Sequence, residues 1–96
     1  MNRDEIISLL KNFKETNQNK YSIMKIGLFG SIARDVMNEK SDIDVVVDVT
    51  NPNLFNLIGI KLDLEDEFHR TVDIVRYHKR MNKFLKKRID KEAVYV

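Results

Sequence analysis

The chain has no cysteine and no tryptophan, a single proline and three glycines among 96 residues. The missing cysteine excludes disulfide scaffolds, thiol nucleophiles and cysteine-built metal clusters together. Two histidines cannot form a zinc site without carboxylate help. No apolar run exceeds a handful of residues, so no segment has the length of a membrane-spanning helix. The opening residues Met1-Asn2-Arg3-Asp4-Glu5 put acids in a first turn and carry no secretory apolar core. What is present is 43% hydrophobic and 33% charged residues, with apolar positions recurring along most of the chain, which excludes intrinsic disorder. A chain this short buries roughly 60–65% of its unfolded surface, enough for one core. The expectation is one domain over residues 1–96, soluble and cytoplasmic.

Charge is nearly balanced overall, 17 basic against 15 acidic residues, but it is unevenly distributed. Between Arg76 and Lys91 there are eight Lys/Arg and one acid, Asp90, whereas Asp42 to Glu67 is acidic. A basic stretch of this kind suits nucleic acid, nucleotide phosphate, an acidic protein partner or simply water.

No repeat or low-complexity segment interrupts the pattern. Ile6, Leu9, Leu10 and Phe13 recur at helical spacing, and Asn2 with Glu5 resembles a capping box, predicting a helix over 3–15. Residues 22–29 read as a strand that Gly30-Ser31 breaks, with a short helix expected from Ala33 to Met37 and a turn over 38–41. Asp42 to Val49 (DIDVVVDV) alternates, with Ile43, Val45, Val47 and Val49 on one face and Asp42, Asp44, Val46 and Asp48 on the other. Asn51-Pro52-Asn53 stops that strand and caps a helix over 54–68, with Leu54, Leu57, Ile58, Leu62 and Phe68 expected inward. A third strand over 71–77 and a last helix over 81–92, striped with Met81, Phe84, Leu85 and Ile89, complete the order. The fold class expected is α/β or α+β, a small mixed β-sheet with helices packed on one face.

Three features carry chemistry. Gly30-Ser31 at a strand-to-helix junction lets backbone approach a phosphate closely, and the helix start offers N–H groups and a positive dipole end. Asp42 and Asp44, two apart on a strand, project from one face with Cα atoms roughly 6.5–7 Å apart. Their repulsion calls for a counter-ion, and Mg²⁺ is bound by such carboxylates together with substrate phosphates. Asp73, inside the apolar run Thr71-Val72-Asp73-Ile74-Val75, is placed to reach the same face. Three carboxylates beside a phosphate cradle suit two-metal phosphoryl transfer. Arg34 lies one turn beyond Ser31 and faces the same way if that turn is helical. Asp48, roughly 13 Å further along the strand, reads as a solvent residue. His69 and His78 have no partner at metal-ligand spacing.

Gly30-Ser31, ten residues, then Asp42-Ile43-Asp44 resembles the signature of the nucleotidyltransferase (DNA polymerase β-like) superfamily. Phe29-Gly30-Ser31-Ile32-Ala33-Arg34, Ser41-Asp42-Ile43-Asp44 and Val72-Asp73-Ile74-Val75 are similar to its three blocks. The small size resembles the minimal nucleotidyltransferases, MntA-type antitoxins paired with HEPN-domain ribonuclease toxins, and the likeness runs from about Ile23 to Val96. The resemblance implies the nucleotidyltransferase fold, with Asp42 and Asp44 holding two Mg²⁺ ions. Asp73 would bind one of them and help activate the attacking hydroxyl. Gly30 and Ser31 would grip the outer phosphates of a nucleoside triphosphate, with Arg34 as a further phosphate contact. The implied reaction is AMP transfer from ATP to a tyrosine hydroxyl of a HEPN toxin, which makes the chain a type VII-like antitoxin. Asp35 departs from the pattern, since the family often has glycine there, and bears on nucleotide affinity. Two other functions remain open at this stage: an antitoxin acting by stoichiometric binding, and nucleotidyl transfer to a small molecule. Direct nucleic-acid binding is not expected, because no template-holding segments accompany the domain.

Overall fold

The computed structural model describes residues 1–34 and 41–96. Ala33 and Arg34, where the expected helix through Met37 starts, are in a turn; the rest of that helix with Asp35, and most of the turn expected over 38–41, lie outside the described residues. Along the chain run α1 (Arg3–Asn17), β1 (Ile23–Phe29), β2 (Ile43–Val49), α2 (Leu54–Phe68), β3 (Val72–Arg76), α3 (Lys83–Glu92) and β4 (Val94–Tyr95).

Local chemistry sets the helix starts. The Asn2 side chain accepts the Glu5 N–H, Asn53 accepts that of Asn56, and Asn82 accepts those of Phe84 and Leu85. Asp4 and Glu5 add favourable charge at the positive end of α1. At the far end of α2, His69 takes a left-handed conformation (φ 54°) that turns the chain toward β3.

The sheet order is β3-β2-β1-β4. β1 pairs antiparallel with both β2 and β4, whereas β2 and β3 run parallel, the crossover between them being α2. This is the small mixed α+β sheet expected. Val45, Val46 and Val47 of β2 are all fully buried, because this central strand is covered on both faces.

The two faces have different covers. Ile6, Leu10 and Phe13 of α1 and Ile60, Leu64 and Phe68 of α2 pack with Ile26, Leu28, Ile43, Val45, Val47 and Val72 in the main core. On the opposite face Val46 and Phe29 meet Met81 and Ile89 of the α3 segment, with Leu85 and Val75 alongside. The expected one-sided layer is therefore α1 and α2, and α3 caps part of the other face. Its stripe is Met81, Leu85 and Ile89; Phe84, expected inward, is 85% exposed. The inward face of α2 also differs from the expected one. Leu57, Ile60, Leu64 and Phe68 turn to the core, while Leu54, Ile58 and Leu62 point out beside Phe55. Both sets obey helical spacing, so periodicity alone does not choose between them. No helix among the described residues is long and apolar enough to cross a membrane.

Candidate active site

Register decides where the carboxylates go. Asp44 of β2 and Asp73 of β3 are direct partners across the parallel pair. Neighbours in register share a sheet face. Ile43 and Val72, one step earlier, go to the main core, so Asp44 and Asp73 project to the α3 face. Asp42, just before β2, is exposed. It is near enough to raise the proton affinity of Asp44.

The entrance to this strand pair is fastened from α2. The Ile43 N–H donates to the Thr71 carbonyl at 3.0 Å, and the Arg70 guanidinium donates to the Ser41 carbonyl. Lys61 spans the Glu65 carboxylate (2.8 Å) and the Val72 carbonyl (2.7 Å), and Glu65 accepts the Val72 N–H at 2.9 Å. The residue immediately before Asp73 is thus fixed although β3 lies at the sheet edge.

Gly30 follows β1 with φ 74°, a left-handed conformation that glycine adopts without steric cost. A Cβ here would collide with Asp44 Oδ2 and stand 3.2 Å from its Cγ. The backbone therefore approaches the carboxylate as only glycine allows. Ile32, fully buried in the main core, anchors the turn, and the Arg34 N–H closes it on the Gly30 carbonyl at 3.2 Å. Ser31 is half-buried and Arg34 exposed beside it.

Burial, then the neighbouring Asp73, and to a lesser degree Asp42, push the Asp44 carboxyl above its usual range, and Arg88 opposes them. Arg88 comes from α3 and was visible in the sequence only as one of eight cations. Its guanidinium carbon lies 6.0 Å from the Phe29 ring centre, and Phe29 is the register partner of Asp44 on β1. Glu92 lies one turn further on, 3.4 Å from Arg88 Nε and 4.0 Å from Arg34 Nη1. Nothing in the sequence singled out Arg88 or Glu92, because the face α3 presents depends on tertiary packing. Asp48 shares the face of Asp44 but pairs with Lys25, away from the cluster.

A glycine turn pressed against a carboxylate pair, on a sheet face with Arg34 and Arg88 beside it, is an arrangement suited to holding phosphate groups. The family profile described as "Polymerase beta, Nucleotidyltransferase" matches residues 11–96, and the chain belongs to this family of nucleotidyltransferase enzymes. A Methanocaldococcus jannaschii chain provisionally named a protein adenylyltransferase is 33% identical over 93 residues, covering 96% of this chain and 95% of its own. The protein adenylyltransferase MntA of Thermococcus cleftensis is 32% identical over 94 residues, covering 97% and 94%. Among solved structures, a chain described as a minimal nucleotidyltransferase superposes with a TM-score of 0.80 at 24% identity, covering 98% and 95%. A toxin–antitoxin complex with AMP-PNP gives 0.71 at 22% identity, covering 99% of this chain and 72% of that one. The MNT antitoxin complex of a tri-AMPylated Shewanella oneidensis HEPN toxin gives 0.57 at 18%, covering 85% and 70%. At these identities the structural likenesses speak for the fold alone.

Proposed function

We propose that this enzyme transfers AMP from ATP to a tyrosine hydroxyl of a HEPN-domain ribonuclease, and so acts as that toxin's antitoxin in a type VII-like system in the cytoplasm. The observation that carries the reading is the in-register Asp44–Asp73 pair with Gly30 against it. The adenylyltransferase names of the relatives and the AMPylated toxin in one structural neighbour support the donor and the acceptor.

Among the described residues no three histidine, aspartate or glutamate side chains form a ready-made metal cage. Mg²⁺ does not require one, since it binds one or two carboxylates and completes its shell with water and substrate phosphates. Asp44, whose charge is disfavoured first by burial and then by Asp73 and Asp42, belongs to a donor set that fits such a cation. Asp42, Asp44 and Asp73 are the residues that would hold two Mg²⁺ ions. When bound, the ions supply charge neutralisation on the phosphates and lower the pKa of the acceptor hydroxyl.

The protein's own groups then have distinct work. Gly30 and Ser31 receive the outer phosphates, and Arg34 balances their charge. Asp73, exposed on the edge strand, takes the proton of the acceptor hydroxyl. The hydroxyl oxygen bonds to the α-phosphorus, and the bond from that phosphorus to the bridging oxygen breaks. Pyrophosphate leaves with the electron pair.

A protein acceptor suits the surface around Asp73. A groove of about 340 Å³ runs from Asp73 and Ile74 round the sheet edge to Leu54, Leu57 and Ile58 of α2. Beside it Phe55 is 87% exposed and Leu62 57%. Contiguous apolar surface of this kind marks protein contact. The same stripe also favours a second reading, in which stoichiometric binding neutralises the toxin and transfer is secondary. Intact-mass spectrometry of the co-purified partner separates the readings, comparing the native protein with the Asp42→Asn/Asp44→Asn variant. Added AMP only with the native protein supports transfer. An unmodified partner held equally by both favours binding, and transfer to a small molecule would leave the partner unmodified while ATP is still consumed.

A further inference from the structure

Glu92 is an acid where an acid is costly. It ends α3, where the helix dipole disfavours negative charge, and it stands on the same side of the sheet as the carboxylates. Its side chain is only 20% exposed. The position is also rigid, because the Ala93 N–H closes on Ile89 and the next residue, Val94, pairs with Leu28 of β1, two residues before Gly30. Two cations surround it. Oε2 lies 3.4 Å from Arg88 Nε, and Oε1 lies 4.0 Å from Arg34 Nη1. Arg34 is tied to Gly30 through its own N–H, and Arg88 lies over Phe29 near enough to Asp44 to lower its proton affinity.

We propose that Glu92 is a positioning residue, its two carboxylate oxygens holding Arg34 and Arg88 as a pair of guanidinium groups at the phosphate side of the site. This rests on the nucleotide-transfer reading above. Both arginines are exposed and long, and each would otherwise lose rotamer freedom when it engages a phosphate. A fixed acid between them restricts that freedom in advance, so less is lost on binding. It also spaces two like charges that would repel if left alone. Arg88 thereby becomes a second phosphate-facing cation, contributed by the basic helix that the sequence left unassigned.

Titration of Mg²⁺ with ATP or AMP-PNP by calorimetry, together with steady-state transfer, tests the role. Glu92→Gln keeps size and hydrogen-bonding shape but removes the charge. Nucleotide binding should weaken about three- to ten-fold, the range that two partly exposed ion pairs supply. The change should appear in the KM for ATP, with kcat within about two-fold. In an Arg34→Met/Arg88→Met background the same substitution should have no further effect on binding. Glu92→Gln that binds nucleotide as well as or better than the native protein overturns the proposal, as does an undiminished effect in the double-arginine background. Should Glu92→Gln not fold, single Arg34→Met and Arg88→Met variants replace it. Each must weaken binding, and their effects must be non-additive. If the native protein binds no nucleoside triphosphate, the functional reading fails as well. If it binds and transfers normally while Glu92→Gln is indistinguishable from it, this inference alone fails.

Discussion

Replacing Gly30 with alanine should separate the demands of the site from those of the fold. At φ 74° an alanine sits in the left-handed region, at a cost of about 1–2 kcal/mol. Its Cβ would collide with Asp44 Oδ2, so the carboxylate must turn off its present rotamer, adding about 1 kcal/mol. The stiffer unfolded chain returns about 0.4–1 kcal/mol. The net is about 1–2.6 kcal/mol, or a fall in Tm of roughly 4–20 °C for a domain this size. The consequence for chemistry is larger, because a displacement on the order of 1 Å at a reacting group costs about 100-fold. Circular-dichroism melts and intact-mass transfer assays on the same preparation read the two effects. Gly59→Ala is the comparison. Its Cβ would stand 2.8 Å from Tyr21 Cε1, a ring held by Phe13 and by Asp63, so stability falls while transfer below the melting temperature persists. A Gly30→Ala protein that transfers within about three-fold of the native rate would refute the claim that backbone must touch the Asp44 carboxylate.

Asp44→Asn should abolish transfer yet raise the melting temperature of the nucleotide-free protein at pH 7 by about 1–4 °C, the discounted effect of one partly exposed charge. The sign follows from its raised folded-state pKa, since ionised Asp44 disfavours the fold at neutral pH, and that penalty fades as the pH falls through the folded pKa. The advantage of the variant should shrink over the same window, and a lower melting temperature at pH 7 contradicts the reasoning. Phe55→Ser with Ile58→Ser should leave stability nearly unchanged, both residues being exposed, but weaken association with the proposed toxin partner by about 10-fold or more, measurable by surface plasmon resonance. Unaltered affinity would remove α2 from the interface.

Most of the fold was legible because single residues dictate it. Asn2, Asn53 and the apolar run of β2 mark their elements through side-chain hydrogen bonds and alternation. Other features depend on tertiary context. The two-residue β4 exists because β1 offers it an edge at Gly27 and Leu28; Val94 and Tyr95 are β-formers, but two residues are too short a run to mark a strand. In α2 the apolar residues cover more than one face, so burial was assigned to Leu54, Ile58 and Leu62 when the core took Ile60 and Leu64. Phe84 differs for a simpler reason: from Met81 both Phe84 and Leu85 lie at helical spacing, and the core takes Leu85 while Phe84 is exposed.

The candidate site was legible to different depths on its two sides. Its acidic side is encoded around one strand: the period of two predicts Asp42 and Asp44 on a shared face, and the structure has Asp44 within β2 and Asp42 exposed just before it. Asp73 needed the parallel register of β2 with β3, which no local pattern specifies, although its place in an apolar run made it a candidate. On the cationic side only Arg34, one turn beyond Ser31, was legible. Arg88 and Glu92 reach the site because Met81, Leu85 and Ile89 dock on Phe29 and Val46, rolling α3 so that those two residues border the carboxylates. A sheet face with three acids and no helix would repel a triphosphate, and a helix with the same charges docked elsewhere would not reach the site. The apolar stripe of α3 therefore bears on the proposed function: by fixing the roll of one short helix it sets whether the side of the candidate site assigned to phosphate is cationic.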